Sequence, residues 1–577
     1  MTPDRPPPES AVVYEIYPRS FADSDGDGDG DLPGIVERVD YLEELGVDAV
    51  WLTPVYESPR VDNGYDVADY RAIDDAYGDF EDWAALRDDL HDRGIRLIMD
   101  LAVNHTSDEH EWFRRSRREG GEYADYYRWV DGPPDEPPNN WASLFGGSAW
   151  SYDGEREAWY LHLFDERMPD LDWQNSDVRE SVYGVMEWWL DRGIDGFRLD
   201  VINLLSKAEG YPDGDPARSL TGAEHFVDGP RIHEYVGEMC DRVLADRDAM
   251  TVGETFDVTP EAARRYVVED GLDMVFPFEH VEIDAGEAGP WDVVEWDLAD
   301  LKAVTERWQT GLDGGWVGQY LSNHDQPRVV SRFGDETYRR ESATMLGTYL
   351  FTLRGTPFVY QGQELGMTNP TFESLSEYRD PATIERVERA FETGDVEAFE
   401  QVREAVNYWS RDNARTPMQW SDDPAAGFTT GEPWIKVNSN YARVNAEREA
   451  ADPDSVLNYY RRLIEFRHDH PVAVYGAYEP VLEAHPDVFA YRRVPDGEGD
   501  ARGSPDDRDR FRGALDGDAD PLLVLLSFAD EAVSVDVPDA VAPGDAERLI
   551  GNYDGGSDDL SRSVDLRPYE ARVYRLA

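Results

Sequence analysis

Eight short apolar or β-branched runs recur along the chain, and segments of helical length and pattern separate them. The runs are AVVYEIYP, VDAVWLTPV, IRLIMDLAVNH, GIDGFRLDVIN, MTVGETF, LDMVFPF, GQYLSNHD and TPFVYQGQE. Buried parallel strands read as continuous apolar runs, and strands that alternate with helices form parallel sheets. Eight such units predict an α/β fold in which the strands close into a (β/α)8 TIM barrel.

The spacing of these runs divides the chain into three predicted domains. The segment between the third and fourth runs is rich in Trp, Tyr, Pro and Gly and is too long for a single loop, so it predicts an inserted subdomain after strand 3. A second long excursion, about 368–458, precedes the helical pattern SVLNYYRRLIEFRH, which should close the barrel. The last part contains short strand-like runs and predicts an antiparallel β-sandwich. The predicted bounds are 1–104 and 176–475 for the barrel, 105–175 for the subdomain and 476–577 for the C-terminal domain.

Ionisable side chains cluster at the predicted carboxyl ends of the strands, where barrels of this class carry their active sites. Asp200 and Glu254 stand inside apolar strand patterns, where an unpaired charge is costly. Arg198 precedes Asp200 by two residues, so both side chains share a face and the arginine could hold the carboxylate ionised. The predicted strand ends carry Asp100, Asn104 and His105 on the third, Arg198 and Asp200 on the fourth, Glu254 on the fifth, and Asn323, His324 and Asp325 on the seventh.

A set of three carboxylates of this kind suits glycoside hydrolysis. One carboxylate attacks the anomeric carbon, while a carboxylic acid with a raised pKa protonates the leaving oxygen and later acts as the base for water. A separation of roughly 5–5.5 Å between the two groups indicates a retaining mechanism. The residues therefore predict a glycosidase, and the stereochemical course depends on that distance.

Four segments in chain order, DLAVNHTSDEH, GFRLDVIN, VGETF and YLSNHDQPR, resemble the signatures of the α-amylase family of retaining α-glucoside enzymes. Four others, DNGYDVADY, MPDLDWQN, GTPFVYQGQELGMTN and RDNARTPMQW, are most similar to its oligo-1,6-glucosidase and α-glucosidase branch. The resemblance runs from about Val13 to His468. It implies an α-glucosidase that acts on small α-glucoside oligosaccharides.

The resemblance also implies a role for individual residues. It makes Asp200 the nucleophile, Glu254 the general acid/base and Asp325 the transition-state stabiliser. It implies that the −1 glucose subsite is lined by Asp100, His105, Arg198 and His324, with Tyr65 as an aromatic platform beneath the sugar. Asp62 and Arg411 correspond to the charged residues that close the pocket behind the non-reducing 4-hydroxyl, which implies exo-action on short substrates.

Val201, directly after the predicted nucleophile, bears on linkage preference. In the family a valine here resembles enzymes that act on α-1,6 bonds, whereas Thr or Ala more often accompanies α-1,4 preference. We therefore expect isomaltose-type activity with some transglucosylation, and α-1,4, sucrose or glucosyltransferase specificity remains open. A non-catalytic, amylase-like binding protein is the distant alternative, since such proteins lack the catalytic carboxylates. The sequence departs from the pattern of this branch at two positions: Met168 stands where the branch often has Gln, and Asp172 stands where it usually has Asn.

The stretch DSDGDGDGDLPG predicts a cation loop beside the first strand. Its acidic residues and Gly28 follow the spacing of an EF-hand-type loop, in which position 7 offers a backbone carbonyl and position 6 is the turning glycine. Gly34 occupies position 12 instead of Glu, so the loop is no EF-hand, but it resembles the cation loop of the oligo-1,6-glucosidase branch. Hard oxygen ligands suit a structural Ca²⁺ or Mg²⁺, and we expect no organic cofactor. The predicted ligands are Asp23, Asp25, Asp27, Asp29 and Asp31.

Charge and composition predict the partners, the salt environment and the cellular compartment of the protein. With 122 acidic and 55 basic residues, and a formal net charge of −67, it would repel nucleic acid. Only three of the basic residues are lysines, which together with the acidity predicts a halophilic, haloarchaeal-type protein. One cysteine, no signal-peptide pattern and no long apolar run predict a cytoplasmic protein without membrane association. The sequence leaves the oligomeric state, monomer or homodimer, open. The charged residues 496–520 predict a mobile surface loop.

Overall fold

The computed structural model describes residues 5–286, 292–495, 520–538, 541, 546–555, 560 and 562–576. It contains an eight-stranded parallel sheet whose strands, β1 to β8 in chain order, lie next to one another as β6-β5-β4-β3-β2-β1-β8-β7. A parallel bridge between Val275 of β6 and Val317 beside β7 closes the sheet into a barrel. The strands are Val13–Ile16, Ala49–Leu52, Arg96–Ala102, Gly196–Asp200, Met250–Glu254, Met274–Phe276, Gly318–Gln319 and Thr356–Tyr360. The predicted TIM barrel is confirmed.

Helices surround the barrel, one unit after each strand. Two of them continue as short π-helical turns, Cys240–Leu244 and Arg265–Glu269. The helix after β2 begins at a capping box in which Asp79 accepts the backbone N–H groups of Glu81 and Asp82. The barrel helices are Leu32–Val36 with Val39–Leu45, Phe80–Asp92, Ser176–Leu190, Ile232–Met239, Pro260–Arg264, Leu298–Gly311, Arg339–Thr352 and Val456–Asp469. The last of these is the helix that the sequence predicts to close the barrel.

The barrel interior is a packed core and not a pore. Side chains alternate along each strand, so Val13 of β1 points inward while Tyr14 packs against the surrounding helices. The inward layer also includes Trp51, Ile98 and Val252. All strand residues of β1 to β6 are buried, which explains their continuous apolar runs.

Between β3 and β4 the chain forms a small antiparallel sheet of Trp129–Asp131, Ala158–Leu161 and Trp150–Asp153, in that spatial order. Helix Glu111–Ser116 precedes it. A bridge between His105 and Asp170 joins this segment to the carboxyl end of β3. Asp172, one of the two departures from the branch pattern, binds Arg128 at 3.1 Å. Nearer the first strands, Tyr56–Glu57 pairs with Asp69–Ile73.

The excursion after β8 is helical but interrupted. The stretch PATIERVERAFETGDVEAFEQVREAV has a helical pattern, but its first helix, Pro381–Thr393, ends where Gly394 takes the left-handed conformation that ends many helices. The other short α-helices of the described residues are Ala223–Phe226, Val329–Phe333, Arg403–Trp409, Asp412–Arg415, Ala446–Ala451 and Pro471–Tyr475. The 3-10 turns are Pro18–Ser20, Ile202–Leu204, Glu279–Val281, Gln363–Leu365, Leu375–Glu377, Phe399–Gln401 and Pro424–Gly427.

The C-terminal part is an antiparallel β domain, as predicted. It consists of a five-stranded sheet and a two-stranded sheet, and buried apolar residues of both sheets form one cluster. The larger sheet runs Ala477–Val481, Val488–Val494, Leu522–Ser527, Ala571–Leu576 and Ala546–Gly551, and the pair is Val533–Asp536 with Ser563–Leu566. The predicted mobile loop falls almost entirely outside the described residues. Within the described ranges, no helix combines the length and apolarity that crossing a bilayer demands.

Candidate active site

The predicted catalytic residues lie together at the carboxyl end of the barrel. Asp200 and Glu254 are the last residues of β4 and β5. His324 and Asp325 were expected at the end of the seventh strand, but β7 ends at Gln319, so they lie in the loop that follows. Within this loop the side-chain oxygen of Asn323 accepts the backbone N–H of Asp325 at 2.8 Å, an Asx turn that shapes the chain at His324.

Arg198 is the centre of the site. Its Nη1 donates to Asp200 Oδ1 at 2.6 Å and to Asp100 Oδ1 at 2.9 Å, and its Nη2 lies 2.8 Å from Glu254 Oε2. The guanidinium is buried and meets three carboxyl groups. Because both predicted catalytic carboxyl groups bind one planar guanidinium, they are held on the same side of the pocket.

Burial dominates the acidity of these carboxyl groups. It raises the pKa of Asp200 and of Glu254 to about 7 each, although Arg198 opposes both shifts. Burial likewise raises the pKa of Asp100 to about 6 against the pull of Arg198. Arg198 was expected to hold the Asp200 carboxylate ionised; it lowers the pKa of Asp200, but not to the ordinary value. Desolvation outweighs the attraction of a charge that is shared among three carboxyl groups.

Val201 adopts a left-handed backbone, with φ 36° and ψ 44°. A β-branched residue is rarely found in this region, and such strain is held only where the surroundings fix it. The turn aims the backbone N–H of Val201 at Glu254 Oε2, which accepts it at 3.0 Å. The residue after the predicted nucleophile thus holds the predicted acid/base in place.

Asp325 is held by two arginines. Arg415 Nη2 donates to its Oδ1 at 2.5 Å, and Arg411 Nη1 lies 3.5 Å from the same oxygen. Burial disfavours the ionised form, but the favourable interactions with the imidazole of His324 and with the cations of Arg411 and Arg415 outweigh it and hold the pKa of Asp325 below its usual range. Asp325 is therefore ionised at neutral pH, unlike its two neighbours, which titrate there.

Arg411 also closes one end of the pocket. Its Nη2 donates to Asp62 Oδ1 at 2.7 Å, and its Nε donates to Asp380 Oδ1 at 2.7 Å. Asp62 and Arg411 were predicted from the sequence, whereas Arg415 and Asp380, which also caps helix Pro381–Thr393, were not. The motif RDNARTPMQW carried a signal for Arg415, while Asp380 stands in no motif.

Tyr65 and His105 line the other side. The Tyr65 hydroxyl is 2.8 Å from Asp100 Oδ2 and 2.8 Å from His324 Nε2, and its ring stacks on that of His324. His105 is 1% exposed, and its Nε2 has no hydrogen-bond partner among the described residues. Burial lowers the pKa of His105 to about 4, so the ring is neutral. Met168 packs in the same small apolar cluster as Tyr65.

The aspartate loop brings together three of its five predicted ligands. One carboxylate oxygen from each of Asp23, Asp25 and Asp27 lies within 4.8 Å of the others. The carboxylate of Asp29 pairs with Arg19 at 2.8 Å, whereas the ligand predicted from Asp29 is its backbone carbonyl, and Asp31 caps helix Leu32–Val36.

Gly28 takes φ 102° in this loop, and the space for a Cβ there is filled by the backbone oxygen of Glu432. The turn therefore requires glycine, and the loop is locked against the excursion after β8. A cluster of three oxygens of this kind fits a hard divalent cation, with further ligands to come from backbone carbonyls or water.

Comparisons with known proteins agree with this architecture. Residues 15–476 match the model of the α-amylase catalytic domain. The chain is 48% identical to an oligo-1,6-glucosidase of Parageobacillus thermoglucosidasius over 98% of both chains. It superposes on a trehalose-6-phosphate hydrolase of Bacillus licheniformis with a TM-score of 0.90 and 42% identity, covering 99% and 100% of the two chains. Against an isomaltulose synthase from a Klebsiella species the TM-score is 0.91, with 38% identity over 99% of each chain.

Proposed function

Because the chain belongs to the α-amylase family, we propose that it is a retaining, exo-acting α-glucosidase that releases glucose from the non-reducing end of short α-glucosides. The observation that carries the proposal is the shared guanidinium of Arg198, which binds the carboxyl groups of Asp200 and Glu254 at 2.6 and 2.8 Å. That arrangement supports the short separation, roughly 5–5.5 Å, of a retaining pair.

The proposed reaction proceeds in two displacements. Ionised Asp200 attacks the anomeric carbon while protonated Glu254 gives its proton to the leaving oxygen, which forms a glucosyl ester and frees the aglycone. Glu254 then takes a proton from water, the water attacks the anomeric carbon, and the ester bond to Asp200 breaks. Ionised Asp325 stabilises the positive charge that develops on the sugar ring in both steps. A pKa of about 7 for Glu254 suits a group that must act as acid and base in turn.

Exo-action follows from the closed end of the pocket. Arg411 links Asp62 to Asp380, and both carboxylates accept its N–H groups at 2.7 Å. A polymer chain could not continue past this buried network, so the proposal assigns it to the non-reducing terminal glucose. Asp100, His105, Arg198, His324 and Tyr65 would surround that glucose.

For linkage we propose α-1,6 activity of the isomaltose type, with some transglucosylation. The support is Val201 beside the nucleophile and the resemblance to oligo-1,6-glucosidases. Since relatives of similar identity include trehalose-6-phosphate hydrolases, a rate comparison across isomaltose, maltose, sucrose, trehalose and trehalose 6-phosphate decides the matter. The highest rate on isomaltose would support α-1,6 preference, whereas a higher rate on any other of these sugars would contradict it.

The mechanism is tested by Asp200→Ala. We expect this variant to lose hydrolysis of p-nitrophenyl α-glucoside while keeping the far-ultraviolet circular dichroism of the wild type. Turnover close to that of the wild type would reject Asp200 as the nucleophile. Retention is read independently by proton NMR, which should detect α-glucose as the first product.

We also propose that the Asp23, Asp25 and Asp27 carboxylates hold a structural Ca²⁺ or Mg²⁺, and that the protein works in a salt-rich cytoplasm. The first rests on the geometry of the loop. The second rests on the excess of 122 acidic over 55 basic residues. Neither belongs to the proposed chemistry.

A further inference from the structure

Glu15 lies at the carboxyl end of β1 with 1% of its surface exposed. It shares the inward face of the strand with Val13, which packs inside the barrel. A carboxyl group at this depth is costly unless polar groups hold it. The group that holds it is His324, from the loop after β7.

The imidazole of His324 is fixed in its plane by aromatic rings. It stacks between Tyr65 and Tyr17, with ring centroids 5.3 and 6.2 Å away, and meets the edge of Trp51 at 5.9 Å. Stacking defines the plane of the ring but allows both orientations that a 180° flip about the Cβ–Cγ bond exchanges. Glu15 closes that freedom, because its Oε1 lies 2.6 Å from Nδ1 of His324 and accepts the backbone N–H of the same residue at 3.2 Å.

The hydrogen-bond partners of Asp100 and Tyr65 determine which nitrogen of the His324 ring carries a proton. Asp100 faces three donors, Arg198 at 2.9 Å, Trp51 at 3.1 Å and the Tyr65 hydroxyl at 2.8 Å, so it acts as an ionised acceptor. The single proton of Tyr65 is therefore directed to Asp100. Nε2 of His324, 2.8 Å from the Tyr65 oxygen, must then carry a proton, since two lone pairs would otherwise face each other.

The remaining proton lies between Nδ1 of His324 and Glu15. Burial raises the pKa of Glu15 and lowers the pKa of His324 to about 3, which places this proton on the carboxyl oxygen. The charged and titratable groups that face Glu15 are Asp100, Arg198, Asp325, Arg328 and Tyr360. Asp100 and Asp325 favour the protonated form, and Arg198 opposes it.

We propose that Glu15 is a positioning residue that acts through Nδ1 of His324: it keeps the Nε2–H donating to the Tyr65 hydroxyl and so fixes the imidazole and the Tyr65 ring against the bound glucosyl unit. Nε2 also lies 3.5 Å from Asp325 Oδ2, so the ring that Glu15 orients borders the carboxylate that stabilises the transition state. The inference rests on the proposed glucosidase function and extends it to a residue outside the predicted site.

The test compares Glu15→Leu with Glu15→Gln. Leucine removes the partner of Nδ1, and we expect kcat on p-nitrophenyl α-glucoside to fall about 30-fold, while KM changes less than about threefold. Glutamine can donate an amide N–H to Nδ1, so its kcat should stay within about threefold of the wild type.

Glu364 provides the matched control. It is also fully buried, and its Oε1 accepts the hydroxyl groups of Tyr14 at 2.8 Å and Tyr41 at 2.6 Å. Both leucine variants should lower the Tm, because each leaves buried polar groups without a partner, but Glu364→Leu should leave kcat per folded molecule unchanged. Equal kcat losses in the two leucine variants would reduce Glu15 to a structural role.

A double-mutant cycle completes the test. If Glu15 acts through His324, adding Glu15→Leu to His324→Ala should cause no further loss of kcat. A further loss of about 30-fold would overturn the inference, and so would a Glu15→Leu enzyme as active as the wild type. A wild-type protein that hydrolyses no α-glucoside would instead reject the proposed function.

Discussion

Glu254 illustrates how a single buried side chain can be tuned for chemistry at a cost in stability. Burial raises its pKa to about 7, while in the unfolded chain it titrates near 4.3, so the folded state disfavours the ionised form. The penalty is absent below the unfolded pKa and complete above the folded pKa. Stability is therefore lost as the pH rises from about 4 to about 7.

The pH dependence of this penalty gives the first prediction. Glu254→Gln should raise the Tm relative to the wild type by a few degrees more at pH 8 than at pH 5, since a shift of one pKa unit corresponds to about 1.4 kcal/mol. Differential scanning calorimetry at the two pH values measures this. Glu111→Gln, at an exposed position, is the control and should show no such difference. The prediction is wrong if the gain is equal at both pH values.

The same two carboxyl groups determine the pH–rate profile. Asp200 must be ionised to attack, so kcat/KM should fall below its pKa of about 7. Glu254 must be protonated to donate, so kcat/KM should also fall above about 7. Because the two limbs lie close together, we expect a narrow bell centred near neutrality. A broad plateau between pH 5 and pH 8 in a stopped assay of released glucose would contradict this.

Val201 allows a clean test of linkage preference. Threonine has the same branched shape, so Val201→Thr keeps the left-handed backbone at φ 36° and changes only a methyl group to a hydroxyl. We expect the ratio of maltose to isomaltose kcat/KM to rise severalfold, a size typical of such small changes in a pocket. The rate on p-nitrophenyl α-glucoside serves as the reference for general damage. An unchanged ratio would remove Val201 as the reason for α-1,6 preference.

At the scale of elements, the sequence predicted the site correctly where one residue pattern marks both a strand and the catalytic residue at its end. In GFRLD and MTVGE the apolar run ends in the carboxylate, and β4 and β5 end at Asp200 and Glu254. It failed for β7, because this strand has only two residues and ends at Gln319, so His324 and Asp325 follow in a loop that turns at Asn323. Glu15 was missed for another reason: its importance comes from a contact with a loop far away in the chain, which no local pattern records.

The aspartate loop supplies a prediction at this scale. In the wild type, adding Ca²⁺ after chelation should raise the Tm by a few degrees, because a ligand that binds only the folded state stabilises it. Asp25→Asn with Asp27→Asn should abolish this response. The exposed pair Asp246→Asn with Asp248→Asn has the same spacing and should leave it intact. A Ca²⁺ response of equal size in both double variants would reject the loop as the binding site.

For the whole molecule the decisive quantity is charge. There are 122 acidic residues against 55 basic ones, so more than half of the carboxylates have no cation to pair with, and the net charge of −67 opposes the compact state. Salt acts in two directions, since it weakens the surface ion pairs and screens the repulsion among the unpaired carboxylates. Surface pairs contribute little each, so the repulsion should dominate.

We therefore expect the Tm and the activity to rise between 0.1 M and about 2 M KCl, where the screening length falls to roughly 3 Å or less. Glu37, Glu155 and Glu261 are exposed and form no ion pair among the described residues, so changing all three to Gln should lower the KCl concentration needed for half-maximal activity. The control replaces Glu109, Glu122 and Glu180, which pair with arginines, and should have a smaller effect. Full activity of the wild type in dilute buffer would show that the fold tolerates its charge without salt.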